Sequence, residues 1–471
     1  MKRLATIEKA TRIPAPASRV FAWRISRGAF ARLTPPWRPI RVIASHGDVT
    51  DGGDVTLEFR RGPWREKMKV GFEGYTRDRG YRARQSRGAL AQMLYQFEVL
   101  PQGDESSVMT ERIEWRPPLG SVGSALVGRA LAREIQRTLV YRQAIVSLDV
   151  GAHLRWRERI PQRILVSGSR GLVGSELVSF LRAGGHDVSR LIRSEARREA
   201  GDIAWNPSVG VTHPVSVEGV DAIIHLAGEP IFGRWTEHRM AQIRDSRVNG
   251  TRTLCESVAK LSHPPRVIIC ASAVGVYGER GDEILTEASA PGNGFLSAVA
   301  QEWEEATASA RAAGIRVVHA RFGMIMTARG GALAVMRLPF SLGLGGPLGS
   351  GKQWMSWIGL DDTVYALYHL LMDDGVVGPV NVVSPQPVTN AEFTATLARV
   401  MRRPAFLPAP EFALRAIFGQ LVENALVASH RALPTRLLSR GYTFAHPTLE
   451  TALRHTLGRL IPENSFHETS A

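Results

Sequence analysis

The chain is 471 residues long, which predicts two or three domains. Its 44% hydrophobic and 22% charged content fit a soluble globular protein. The net charge of +15 comes mostly from scattered arginines with no long basic run, so nucleic acid is not an expected partner. The same excess suits attraction of a phosphorylated cofactor. Cys255 and Cys270 form no CxxC or metal-ligand spacing, and the histidines form no HExxH. Neither a disulfide nor a metal site is therefore expected, and a reducing cytoplasmic location fits. The opening MKRLATIEKATRIP has no signal-peptide core, and no apolar run is long enough for a transmembrane segment.

Residues 1–150 predict an α+β domain. Val55, Leu57 and Phe59 alternate with Thr56, Glu58 and Arg60, the period of a half-buried strand. Further strands are expected near Lys67–Tyr75, Met93–Leu100 and Ser107–Trp115, divided by turns such as Asp51-Gly52-Gly53. A long helix follows from about Ser124 to Val146, with the stripe Val127, Leu131, Ile135, Leu139. The segment Ile13-Pro14-Ala15-Pro16-Ala17-Ser18-Arg19-Val20-Phe21-Ala22-Trp23 resembles the opening of START-like (SRPBCC, polyketide cyclase/coenzyme Q-binding) domains. The closing helix is similar to theirs. That resemblance implies a helix-grip fold around an apolar cavity, with a lipid or aromatic molecule as ligand. The other reading is a closed domain that only scaffolds. Residues 151–162, including the polar and basic HLRWRERIPQ, read as a linker.

A second, α/β fold class begins at Arg163: a Rossmann-type doubly wound parallel sheet over 163–400, with a small C-terminal domain over 401–460. Arg163-Ile164-Leu165-Val166-Ser167 is a short buried strand. It runs into Gly168-Ser169-Arg170-Gly171-Leu172-Val173-Gly174 and then an amphipathic helix with Leu177, Val178 and Leu181. Glycines where a strand turns into a helix suit a dinucleotide: a tight turn, close approach of a pyrophosphate, and close helix–strand packing. The helix N-terminus adds free N–H groups for phosphate. The second strand, from His186, ends at Arg193-Ser194, where an NAD site would carry an acidic residue. Arg170 and Arg193 favour a 2′-phosphate, so NADP(H) is the expected cofactor. A third strand ends in Leu226-Ala227-Gly228, expected along the cofactor. His225 within it reads as a packed residue.

The GxxGxxG spacing is similar to that of extended and atypical short-chain dehydrogenases/reductases. That family implies a Tyr-x-x-x-Lys pair, yet none of the eight tyrosines has Lys four residues on. The segment Gly294–Glu305 offers neither residue, and the expected helix Asn is absent from Arg247-Val248-Asn249-Gly250-Thr251. Arg234-Trp235, Ser246-Arg247, Val276-Tyr277-Gly278, Gly349-Ser350-Gly351-Lys352-Gln353 and Ser356-Trp357-Ile358 together resemble the epimerase family protein 39U1-like (YfcH) group. The match runs from about Arg163 to Leu457. Ser272, Tyr277, Arg247 and Glu229 are the candidate catalytic groups. Arg234, Ser246 and Gln353 are further polar positions the pattern retains, and Lys352 and Trp354 lie in a glycine-rich loop that reads as a lid or a fixed turn. The substrate expected is a small anionic or carbonyl-bearing molecule. Two functions compete: an NADP(H)-dependent oxidoreductase or epimerase, and a non-catalytic NADP(H) sensor or scaffold with a hydrophobic-ligand domain. A weaker third is lipid or quinone handling.

Overall fold

A computed structural model describes residues 4–61, 64–117, 120–193, 201–211, 214–422 and 427–460. The chain divides into two compact units: residues 1–158 with 182–185 and 455 onward, and residues 159–181 with 186–454.

The first unit runs β1 (Ala5–Ile13), α1 (Ala17–Ile25), α2 (Ala29–Arg32), β2 (Ile40–His46), β3 (Asp54–Arg61), β4 (Trp64–Thr76), β5 (Gly80–Arg87), β6 (Gln92–Pro101), β7 (Ser107–Arg116) and α3 (Gly120–Leu154). Its seven strands form one antiparallel sheet in the order β1-β7-β6-β5-β4-β3-β2. The alternation on β7 turns Ser107, Met109, Glu111 and Trp115 inward. Phe21 of α1 and Tyr141 and Ile145 of α3 share a core with Tyr81, Tyr95 and Phe97. Leu131, Ile135 and Leu139 pack with Trp115.

The expected helix of 124–146 extends to Leu154, 35 residues in all. Asp149 explains part of the extension: both its oxygens take hydrogen bonds from the Arg32 guanidinium, at 2.9 and 2.8 Å, and both side chains are fully buried. His153, expected at the head of a linker, is buried in the last turn of α3. Strand β2 has no hydrophobic period because it is a largely exposed sheet edge with no buried row, and Val42 and Ile43 stand exposed on it.

The second unit runs β8 (Arg163–Ser167), α4 (Leu172–Ala183), β9 (Asp187–Ile192), β10 (Ile203–Asn206), β11 (Gly210–Val211), β12 (Ala222–His225), α5 (Glu237–Val258) and β13 (Val267–Ala273). Next come β14 (Ile284–Leu285), α6 (Phe295–Glu305), α7 (Ala308–Ala312), β15 (Arg316–Phe322), β16 (Met324–Met326), α8 (Gly331–Ser341), β17 (Trp354–Met355), β18 (Trp357–Gly359), α9 (Leu360–Met372) and β19 (Gly378–Val382). The rest comprises β20 (Val388–Thr389), α10 (Asn390–Met401), α11 (Glu411–Phe418), β21 (Arg431–Ala432), α12 (Thr435–Ser439) and α13 (Leu449–Thr456). The main sheet has eight strands in the order β11-β10-β9-β8-β12-β13-β15-β19, all parallel except β11. Its central strands are buried along almost their whole length, as in sheets covered on both faces. The fold is Rossmann-like: strand order reverses between β8 and β12, and the crevice beyond their C-terminal ends is where such sheets take ligands. Among the described residues no helix is long and apolar enough to cross a membrane.

Candidate functional site

The crevice is built from the turn between β8 and α4. Gly168 adopts φ of +64°, in the left-handed region that glycine alone enters at little cost. A Cβ there would stand 2.6 Å from the Leu226 carbonyl carbon. A Cβ on Gly174 would stand 2.3 Å from the Gly168 carbonyl oxygen. These two positions therefore weld β8, the end of β12 and the first turn of α4 together. Gly171 is exposed above them, with its N–H donating to the Gly168 carbonyl at 2.8 Å. Ser169 is buried and Arg170 exposed. Leu172 and Val173 begin α4 half-buried.

Ser167 was not foreseen, though it ends the first strand. Its Oγ lies 2.7 Å from His225 Nδ1 and accepts from the N–H groups of Leu226 and Ala227 at 3.1 and 3.3 Å. That bond set fixes the Leu226-Ala227-Gly228 backbone against the glycine turn. His225 is wholly buried, and burial pulls its imidazole down to about 4, so the ring is neutral. Arg193 follows β9 and is exposed. Ser194 lies outside the described residues. The buried Glu176 of α4 forms an ion pair with the exposed Arg329, next to the Gly330-Gly331 turn that leads into α8.

The candidate catalytic residues fall into two groups. Glu229, Ser246 and Arg247 come together. Ser246 Oγ accepts from the Glu229 N–H at 3.0 Å, and Arg247 donates to the Glu229 carbonyl at 2.9 Å. The Arg247 guanidinium sits 5.2 Å over the Trp303 ring, and burial lowers it to about 10. The Glu229 carboxylate remains about a third exposed and is held by Arg239 at 2.8 Å. Arg234 is exposed beside the buried Trp235.

Ser272 and Tyr277 belong to a different arrangement. Ser272, Arg321 and Asn381 are register partners across β13, β15 and β19. Ser272 Oγ donates to Glu304 Oε1 at 2.7 Å. Arg321 donates to both Glu304 oxygens, at 2.7 and 2.8 Å, and to the Tyr277 hydroxyl at 3.0 Å. Tyr277, fully buried, donates in turn to Asn381 Oδ1 at 2.8 Å. Burial raises the Tyr277 hydroxyl, and Arg321 opposes that only in part. Burial alone would raise Glu304, but the hydrogen bonds and charge of Arg321 outweigh it and hold the carboxyl below its ordinary value. Two hydroxyls expected as proton donors are thus consumed by a closed network. Glu304, Arg321 and Asn381 were missed. The available signal was an arginine, two residues from His319, on the mostly apolar strand Val317–Phe322, a charge that cannot be buried without a partner.

The glycine-rich segment before Trp354 is pinned at that end. Trp354 Nε1 donates to Asp282 at 2.7 Å, its N–H donates to Ser429 Oγ at 3.0 Å, and the Arg431 guanidinium lies 4.2 Å over its ring. Gln353 donates to the Leu348 carbonyl at 3.1 Å, and Lys352 is exposed.

Residues 164–383 match the NAD dependent epimerase/dehydratase family, and residues 409–456 match a domain of unknown function, DUF1731. Epimerase family protein Mb2239 of Mycobacterium bovis is 41% identical over 297 residues, covering 63% of this chain and 98% of the relative. Human epimerase family protein SDR39U1 is 35% identical over 298 residues, covering 62% and 98%. Among solved structures, a Corynebacterium glutamicum protein described as a nucleoside-diphosphate sugar epimerase superposes with a TM-score of 0.80 at 32% identity. That superposition covers 96% of this chain and 90% of the other. Human SDR39U1 isoform 2, solved with NADPH, gives 0.58 at 33% identity over 63% of this chain and 100% of its own. With the glycine turn at the switch point and relatives matched over nearly their whole length, the chain belongs to the NAD dependent epimerase/dehydratase family, among relatives of the SDR39U1 kind.

Proposed function

We propose that the protein is an NADP(H)-binding, oxidoreductase- or epimerase-like protein acting on a small anionic or carbonyl-bearing molecule. The observation that carries this reading is the glycine turn at the strand-order reversal, welded to Leu226 by contacts that only hydrogen in place of Cβ permits. In this reading the backbone from Gly168 through Ser169, Arg170, Gly171, Leu172 and Val173 to Gly174 holds the pyrophosphate. Leu226, Ala227 and Gly228 flank the nicotinamide half. Arg170 and Arg193, together with Ser194, which follows Arg193 in sequence, take the 2′-phosphate through charge-assisted bonds. The NADPH in the human relative's structure supports the phosphorylated cofactor. Bound there, the dinucleotide would supply or accept a hydride. Glu229 is the carboxylate left for proton transfer or substrate contact, and Arg247 positions its backbone. Ser272 and Tyr277 act as framework for this site.

The commitment of both those hydroxyls favours a second reading, in which NADP(H) binds and is not turned over. The N-terminal unit, whose last helix runs on to Leu154, would then bind the other ligand as a START-like domain. Its support is the antiparallel sheet closed by one long helix.

Fluorescence titration with NADPH and NADH tests the cofactor reading. NADPH is expected to bind far more tightly than NADH, and Arg193→Asp to weaken NADPH about 10- to 100-fold while sparing NADH, the cost of one charge-assisted contact turned repulsive. Binding of neither nucleotide would sink both readings. Consumption of NADPH with a panel of carbonyl compounds separates the first from the second.

A further inference from the structure

The interior of the N-terminal unit holds a charged cluster that its own fold leaves unfinished. Glu111 sits on the inward row of β7, between Met109 and Ile113, where the strand pattern calls for an apolar side chain. Among the described residues its Oε1 takes the Tyr95 hydroxyl at 2.6 Å, Arg142 of α3 at 3.0 Å and Arg24 of α1 at 3.6 Å, and the Tyr95 hydroxyl accepts in turn from Arg24 at 2.6 Å and Arg142 at 3.2 Å. Its Oε2, the Nε of Arg24 and the Nε of Arg142 are buried without a hydrogen-bond partner among the described residues. The side chains of Arg24 and Glu111 are 6% and 2% exposed, and that of Arg142 is 17% exposed. Two guanidinium groups thus face one carboxylate. Arg24 also lies 5.9, 5.7 and 5.2 Å over the rings of Tyr81, Tyr95 and Phe97, and Arg142 lies 5.0 Å over Tyr95.

Leaving a buried charge uncompensated is expensive, and buried donors without acceptors are rare in folded proteins. Two guanidinium groups sharing one carboxylate, with two N–H groups left without an acceptor among the described residues, suit one more anion. The rings around it call for an apolar body attached to that anion. We propose that the interior of the N-terminal unit binds a monocarboxylate with an apolar body. Arg24 and Arg142 receive its carboxylate, and Tyr81, Tyr95 and Phe97 receive its body. This rests on the reading of that unit as a ligand-binding domain and names the ligand's chemistry.

Calorimetric titration of the full chain tests it with two acids and their neutral counterparts, naphthoate against naphthalenemethanol and laurate against dodecanol. At least one acid should bind about ten-fold tighter than its alcohol, the return on charge-assisted bonds in a buried site. The acid that does so identifies the body as aromatic or acyl. Arg142→Leu, at the most exposed member of the cluster, should abolish the preference. Arg24→Met should do the same where circular dichroism shows it folded. Glu111→Gln should raise the preference, since it removes the competing negative charge; a purely structural carboxylate would only weaken binding. Alcohols that bind as tightly as both acids overturn the carboxylate assignment and leave the ligand-binding reading standing. A preference that survives both arginine variants overturns it as well. Failure of all four compounds to bind brings down both.

Discussion

The two units bury nearly the same set of side chains and finish it differently. In the Rossmann unit Ser272, Glu304, Arg321, Tyr277 and Asn381 form a continuous chain of donors and acceptors in which both carboxylate oxygens are used. In the N-terminal unit Arg24, Arg142, Glu111 and Tyr95 converge on one carboxylate oxygen and leave three polar atoms over. Residue types alone do not separate scaffold from site; satisfaction of hydrogen bonds does. A closed network stiffens three adjacent strands, and an open one is chemistry waiting for a partner.

Acid should separate the units most widely. His186, His225 and His319 of the Rossmann unit are all pulled down to about 4, mainly by burial. Their folded values lie below the unfolded 6.5, so the unfolded state binds the extra protons. Their contribution is full above pH 6.5 and is lost as pH falls toward 4, by up to about 3 kcal/mol for each ring, offset in part by Asp362, which burial raises to about 6. Hydrogen exchange at pH 5 should therefore open peptides from β8, β12 and β15 before those from β6 and β7. Equal loss in both units would mean that the three rings are protonated in the fold.

Amide substitution tests the closed and open networks directly. Glu304→Gln puts an NH2 group against Arg321 and breaks a buried pair, for an expected loss of about 3 kcal/mol or more. Glu111→Gln with its oxygen at the Oε1 position keeps its hydrogen bonds and loses only the counter-charge of Arg24 and Arg142, so its loss should be smaller than that of Glu304→Gln. Exchange measured separately in β15 and β7 peptides reads each cost in its own unit. A Glu111 cost equal to that of Glu304 would mean that both oxygens are bonded and the cluster is closed.

What the sequence revealed follows from how local each signal is. The strand Arg163–Ser167, the glycine turn and the helix from Leu172 lie within twenty-odd residues, and local turn chemistry marks each boundary. The seven-strand sheet was only half legible, since its edge strand β2 carries no buried face to produce a period. The Arg321 network was hidden because its members are brought together by strand register across β13, β15 and β19. Glu111 was legible in principle: the alternation Met109, Glu111, Ile113, Trp115 has one charged member on its inward side. Ser272 and Tyr277 show the opposite case. Their motif was recognisable, but no one-dimensional pattern reveals that Glu304 and Asn381 already accept the protons of their hydroxyls.

Tyr277→Phe is the finest test of that distinction. The hydroxyl gives its proton to Asn381 Oδ1 and accepts from Arg321, so removing it leaves one buried acceptor and one buried donor short. The cost should be about 1–3 kcal/mol of stability in the Rossmann unit. The ring stays in place, still 5.2 Å from the Arg321 guanidinium, so the packing of Val276 and Leu285 around it is preserved. The glycine turn is reached through other contacts, those of Ser167 and Leu226, so NADPH affinity should not change. A variant that binds NADPH normally, unfolds earlier and keeps any turnover the wild type has would place Tyr277 in the frame. Loss of turnover with unchanged stability would make the hydroxyl a catalytic group after all, and the Asn381 bond would then have to open during the reaction.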